Sequence, residues 1–202
     1  TGQEHLLSSA LRLRPDAVIL DLEDAYPRRP ARLRAQPFRL RSGTCATPGS
    51  AVRSRDRLCG PGIGCAVRVN GSLGDMVADA AALELGSVDA LVVPKCDDPR
   101  PLENMAELTG GSVPLIALIE SPAGPRRIQR IAAVPQLAGL MLGGEDFSAS
   151  LGIDPDGGSL LHPATVLALA AAERGLMAVG FPGSIANFRD LGLYARQIAK
   201  GR

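Results

Sequence analysis

Short apolar runs alternate with longer stretches of helical period along most of the chain. The runs at 17–21, 66–69, 88–93, 114–119, 137–142 and 176–179 are nearly continuous in apolar residues, as strands buried on both faces of a parallel sheet require. Apolar positions recur at helical spacing over 75–86, 99–109, 121–134, 164–174 and 184–200. Alternation at this pitch predicts an α/β fold built on parallel strands. Six strands are countable, where a closed barrel needs eight. The chain opens on a helix-like segment and closes on a helix, so the pattern fits either an open sheet or a barrel lacking its two end strands.

One stretch breaks the pattern. Residues 27–65 carry nine arginines against a single acid, Asp56, for a local charge of +8, while the remaining 163 residues carry −7. Its apolar residues, Leu33, Phe38, Leu40, Val52, Leu58 and Ile63, share no helical face. A solvated basic loop is one reading. An insert that binds nucleic acid or another anion is a second, although aromatic side chains to stack on bases are scarce. The preferred reading is an out-of-frame segment, because Arg, Pro, Gly, Ala and Cys are what GC-rich coding DNA gives in a wrong frame. A long unstructured loop inside a compact domain is itself uncommon. The expectation is therefore a single partial barrel domain over 1–202, with 27–65 aberrant or disordered.

Composition narrows the function classes. A chain of 202 residues with 46% apolar content can bury one core, and a net charge of +1 gives no general reason to bind nucleic acid or membrane. No apolar run approaches the ~20 residues of a membrane span and no secretory layout opens the chain, so a cytoplasmic location is expected. Cys45, Cys59, Cys65 and Cys96 have neither C-x-x-C spacing nor the density of a disulfide scaffold, and free thiols are expected. Two histidines, His5 and His162, exclude a multi-histidine metal site, and no G-x-S-x-G turn supports a Ser-His-Asp triad. Gly60, Gly62 and Gly64 precede a strand instead of joining one to a helix, which argues against a phosphate loop.

The chemistry concentrates at strand ends. Glu120 and Asp146 each follow an apolar run, 26 residues apart, which is about one strand-helix unit. In a β/α fold that places both acids on the rim where active sites collect. Two carboxylates suit a hard cation such as Mg²⁺, which leaves its other positions to water and substrate oxygens. Helix capping is the plainer alternative for each acid. Arg68, at the end of the run 66–69, offers a planar charged fork for a carboxylate or an enolate oxygen; alternatively it pairs with Glu23 or Asp24. Gly143 and Gly144 either let backbone N–H groups approach a bound anion or form a tight turn. Lys95 stands at a strand end, where a Schiff-base aldolase places its lysine.

The ordered motifs DAVILDLEDA (16–25), VRVNG (67–71), DALVVPK (89–95), IALIESPAG (116–124) and LAGLMLGGEDFSASLG (137–152) resemble the citrate lyase β-subunit-like branch of the HpcH/HpaI aldolase family. The segment VGFPGSIANF (179–188) is similar to that family as well. The resemblance implies a TIM barrel of the phosphoenolpyruvate/pyruvate-binding type, here with about six of eight strands. It implies an Mg²⁺-dependent carbon–carbon lyase, with Mn²⁺ as the alternative ion, acting on a 3-hydroxyacyl-CoA such as citryl-CoA or malyl-CoA to give an acyl-CoA and an α-keto acid. It further implies Glu120 and Asp146 as metal ligands, and Arg68, Gly143, Gly144 and Glu145 as substrate-binding residues. Glu23 and Asp24 divide between orienting Arg68 or a water and a structural role, and Lys95 acts electrostatically instead of forming an imine. A trimer or hexamer is the assembly it implies.

The family pattern also includes a first strand of the type SLLFVP and an eighth strand, neither of which is in this chain. Absence of a histidine near DLEDAYP favours the CoA-lyase branch over pyruvate aldolases. The alternatives are a non-catalytic truncated or frameshifted remnant, a hydroxy-acid aldolase independent of CoA, and a basic interaction module on 28–57.

Overall fold

The computed structural model describes residues 8–23, 59, 63–186 and 189–200. Expectations for 24–58, including the role of Asp24, fall outside the described residues. After a helical turn at 8–12, the elements in chain order are β1 (Ala17–Asp21), β2 (Gly64–Arg68), α1 (Leu73–Ala82), β3 (Ala90–Val93), α2 (Arg100–Leu108) and β4 (Leu115–Ile119). Then follow α3 (Ala123–Arg126), α4 (Ile128–Ile131), β5 (Leu137–Leu142), α5 (Gly144–Leu151), α6 (Leu161–Arg174), β6 (Met177–Val179) and α7 (Leu191–Lys200). The chain forms two compact units, Thr1–Val92 with Glu107–Pro114, and Val93–Ala106 with Leu115–Arg202.

In the first unit β2 pairs in parallel with β1 and β3, and Asp21 stands in register with Arg68. β2 begins two residues earlier than its apolar run suggests, because the Gly64 N–H donates to the Asp16 carbonyl at 2.9 Å and the Cys65 N–H to Asp89 Oδ2 at 2.9 Å. The last residues of the arginine-rich stretch thus belong to the fold. The expectation of free thiols is corrected as well: Cys59 and Cys65 are disulfide-bonded, with Cα atoms 5.9 Å apart, within the reach of a disulfide. Cys96 is free and buried.

α1 starts at Leu73, two residues before its predicted start, and ends at Ala82. Ser72 caps it by accepting the Asp75 N–H at 3.2 Å while its hydroxyl donates to Asp75 Oδ2 at 2.6 Å, so the S-x-x-D spacing marks the start. Asp79 on the same helix accepts from the Asn70 N–H at 2.8 Å and from Asn70 Nδ2 at 2.9 Å. Burial raises the Asp79 carboxyl above its ordinary range, and the Asn70 bonds offset part of that rise.

In the second unit β5 pairs in parallel with β4 and β6. All five residues of β4 are buried, and Leu115, Ile119, Ile131, Leu140 and Leu160 are fully enclosed. Each such side chain contributes roughly 1.5–3 kcal/mol through its removal from water.

Three helical segments differ from their apolar period. The stretch 121–134 holds two short helices that meet at Arg127, whose φ is −117°. The Arg127 N–H turns to the Gly124 carbonyl, three residues back, at 2.9 Å, where a continuous α-helix would bond four residues back. Gly124 is needed here, since a Cβ would lie 2.4 Å from Ile119 Cγ2. The stretch 184–200 is helical only from Leu191, with Asp190 accepting the Leu193 N–H at 2.9 Å as a cap. α6 begins at Leu161 with Pro163 in its first turn, where a missing N–H costs nothing.

Two outcomes are expected. Gly124→Ala and Ile119→Ala should each destabilise by about 1–4 kcal/mol, while the double variant loses less than the two combined, as urea unfolding of the cycle would register. The raised Asp79 pKa gives a contribution fully present below the unfolded value of 3.8 and lost as pH rises through the folded value. Asp79→Asn, which keeps an acceptor for both Asn70 donors, should therefore match or exceed the wild type in stability at pH 7. That advantage should shrink as the pH approaches 4 in the same assay.

Candidate functional site

In the first unit, parallel register sets Asp21 beside Arg68 at the carboxyl ends of β1 and β2. Arg68 Nε donates to Asp21 Oδ1 at 2.9 Å and Nη2 to Oδ2 at 2.5 Å, a two-pronged pair. Glu23 Oε2 lies 3.4 Å from Nη1 on the other side of the guanidinium. Of the two acids considered as partners of Arg68, Glu23 is one, and Asp21 is a partner that the reading of the sequence overlooked. The cue was available, because Asp21 closes its apolar run and Arg68 stands near the end of its own.

In the second unit, β4 ends at Ile119 and delivers Glu120 to the start of the following loop. Glu120 is 6% exposed and is the one carboxylate among the buried polar residues of the described chain. Its Oε2 accepts the Lys95 backbone N–H at 3.0 Å. Lys95 adopts φ +55°, a left-handed conformation that costs a residue bearing a Cβ about 1 kcal/mol or more, and its side chain is exposed. This bond to Glu120 comes from the Lys95 backbone. Beside it, the buried Cys96 thiol donates to the Val93 carbonyl at 3.1 Å. Burial pushes that thiol far up, and the Glu120 and Asp97 charges add to the rise, so it is no thiolate at neutral pH. Ser121 donates to Asp97 Oδ1 and accepts the Ala123 N–H at 3.2 Å, fixing the loop after Glu120.

Gly143 and Gly144 have a steric reason for being glycine. A Cβ on Gly143 would lie 2.5 Å from Glu120 Cγ and 3.2 Å from its Oε1, and one on Gly144 would lie 3.0 Å from Leu160 Cδ1. Gly143 precedes α5, so Glu120 packs against the beginning of the helix whose first turn carries Glu145 and Asp146. Asp146 is exposed. Glu145 Oε1 accepts the Ser184 hydroxyl at 2.5 Å and the Ala186 N–H at 3.3 Å. A separate cleft of about 330 Å³, lined by Leu140, Leu142, Thr165, Val179 and Phe181 among others, includes none of these acids.

The donors suit a hard divalent cation: Glu120 and Asp146 supply carboxylate oxygen, one buried and one open to water and substrate. No group of three or more His, Cys, Asp or Glu side chains with metal-binding geometry occurs among the described residues. No helix among the described residues is long and apolar enough to cross a membrane.

Parallel strands alternating with helices, and acids set at the strand ends, define an α/β protein of the barrel-forming class. Residues 57–181 match the HpcH/HpaI aldolase/citrate lyase family, and the chain belongs to it. Among curated proteins it is 29% identical over 180 residues to a citrate lyase subunit beta-like protein of Deinococcus radiodurans, covering 86% of this chain and 60% of that protein. It is 32% identical over 192 residues to a (3S)-malyl-CoA thioesterase of Cereibacter sphaeroides, covering 94% of this chain and 62% of that protein. The chain therefore spans about three fifths of the length of these relatives. RipC from Yersinia pestis shares the fold at a TM-score of 0.63 and 24% identity, over 93% of this chain and 80% of that one. The protein CitE from Mycobacterium tuberculosis, solved in complex with magnesium and acetoacetate, shares it at 0.57 and 24%, over 84% and 65%. The family match begins at residue 57, inside the stretch expected to be aberrant.

If the Lys95 backbone carries its contact with Glu120, Lys95→Gly should be more stable than Lys95→Ala by about 0.5–1 kcal/mol in urea unfolding, since glycine accepts the left-handed conformation without strain. Equal stabilities would show that the strain is not held there.

Proposed function

We propose that this chain carries the metal-binding part of a carbon–carbon lyase acting on the CoA thioester of a 3-hydroxy acid. The carrying observation is Glu120: a buried carboxylate at a strand end, packed on Gly143 at the start of the helix that bears Asp146. A charge is kept in such a place at a cost of several kcal/mol unless its surroundings compensate it. Magnesium in the CitE complex and the malyl-CoA and citrate lyase names of the relatives support the choice of cation and substrate class.

On this reading Glu120 and Asp146 hold Mg²⁺, with Mn²⁺ as the substitute. When bound, the ion supplies positive charge that lowers the cost of an alkoxide on the substrate. The substrate hydroxyl gives up its proton and the bond between the hydroxyl-bearing carbon and its α-carbon breaks. Its electron pair passes to the thioester as an enolate, which takes up a proton to become the acyl-CoA, while the alkoxide becomes the carbonyl of an α-keto acid. Arg68 is the proposed group for a carboxylate or the enolate oxygen, its guanidinium oriented by Asp21 and Glu23. The Gly143–Gly144 backbone is proposed to face the keto-acid carboxylate, and Lys95 to add positive charge. A homo-oligomer and a cytoplasmic location accompany this proposal.

Calorimetric titration of the purified chain with Mg²⁺ in the presence of oxaloacetate or glyoxylate tests it. Saturable binding is expected, with a loss of at least tenfold in affinity for Glu120→Ala. No binding by a chain with a folded far-UV spectrum would mean that it keeps the family's residues without the family's chemistry.

A further inference from the structure

Glu145 neighbours the proposed ligand Asp146, and its surroundings give it a distinct task. Oε1 accepts both the Ser184 hydroxyl at 2.5 Å and the Ala186 N–H at 3.3 Å, and the same N–H also donates to Ser184 Oγ at 3.0 Å. Ser184 is 4% exposed, and its N–H donates to Asp156 Oδ1 at 2.9 Å, which also accepts from Gln197 Nε2 at 3.3 Å. Gln197 is 2% exposed and lies so close to Gly183 that a Cβ there would stand 2.8 Å from Gln197 Cγ. The Gly183 carbonyl in turn sits 3.2 Å from where a Gly144 Cβ would be. Four pieces of the second unit are thereby joined: the first turn of α5, the loop bearing Asp156, residues 181–186 and α7.

We propose that Glu145 is a positioning residue, whose carboxylate clamps the 181–186 loop onto the first turn of α5 and so fixes the orientation from which Asp146 presents its oxygens. Long-range bonds from one side chain to a hydroxyl and a backbone N–H some 40 residues later in the chain fit a clamp better than a group left open for substrate. Partners of this kind beyond the ligands themselves typically alter metal affinity by 10–100-fold. The clamp needs an acceptor oxygen at Oε1; a direct ligand or a charge-pairing group would need the anion. Glutamine keeps the first and removes the second, which makes the substitution decisive.

This inference rests on the proposed Mg²⁺ site for one of its two readouts. In calorimetry with Mg²⁺ and glyoxylate, Glu145→Ala and Ser184→Ala should weaken affinity by about tenfold or more, and Glu145→Gln should stay within about threefold of the wild type. The second readout is hydrogen–deuterium exchange over 181–186, which should be slow in the wild type and in Glu145→Gln and at least about tenfold faster in Glu145→Ala. Ser184→Ala stands in for Glu145→Ala if the latter does not fold. Equal losses of affinity in Glu145→Gln and Glu145→Ala would overturn the clamp in favour of a charged contact. Unchanged exchange in Glu145→Ala, or an unprotected loop in the wild type, would overturn it outright. If the wild type takes up no Mg²⁺, the proposed function fails while the exchange measurement still decides the clamp.

Discussion

The burial of the Glu120 carboxylate is the constraint around which the second unit is organised. Removing an anion from water is costly, and a backbone N–H meets part of that cost. The Lys95 N–H reaches the carboxylate because Lys95 accepts a left-handed conformation. Gly143 lets the side chain lie against the start of α5 because it has no Cβ. Ser121 and Asp97 then lock the next residue of the loop. The Cys96 thiol, protonated by its enclosure, adds no competing charge.

The first unit handles charge differently. There a guanidinium is the central group, and two carboxylates hold it in a defined orientation: Asp21 through two parallel bonds and Glu23 at longer range. Substituting lysine for Arg68 would preserve the charge and lose the fork, so these positions are not conservative neighbours in the usual sense. Register between two strands that are more than forty residues apart in the chain is what makes the fork usable.

Much of the fold was legible because buried parallel strands write their boundaries in apolar residues. β1 and β5 coincide with their runs to the residue, and β4 differs by one. Helices were less legible where the backbone breaks a good period: Arg127 divides 121–134, and the polar anchors of 181–186 delay α7 to Leu191. Glu120 stood out as a strand-end acid, but its relation to Gly143 depends on tertiary approach that no spacing reveals. Asp21 was visible as an acid closing an apolar run, but its bond to Arg68 depends on a pairing across the arginine-rich stretch. The Cys59–Cys65 pair escaped notice because a six-residue separation matches no familiar motif.

The contact between Gly143 and Glu120 also sets the order in which these positions can change over evolutionary time. While a glutamate occupies 120, any side chain at 143 meets its Cγ at 2.5 Å, so glycine there is held by its neighbour. Once 120 shrinks to alanine, which has no γ atom, that restraint lifts, and a Cβ at 143 has only the 3.2 Å approach to Leu118 Cδ1 left to accommodate. Return then requires reverting 143 before 120. The pair thus acts as a steric ratchet, because a Cβ gained at 143 blocks the return of the acid at 120.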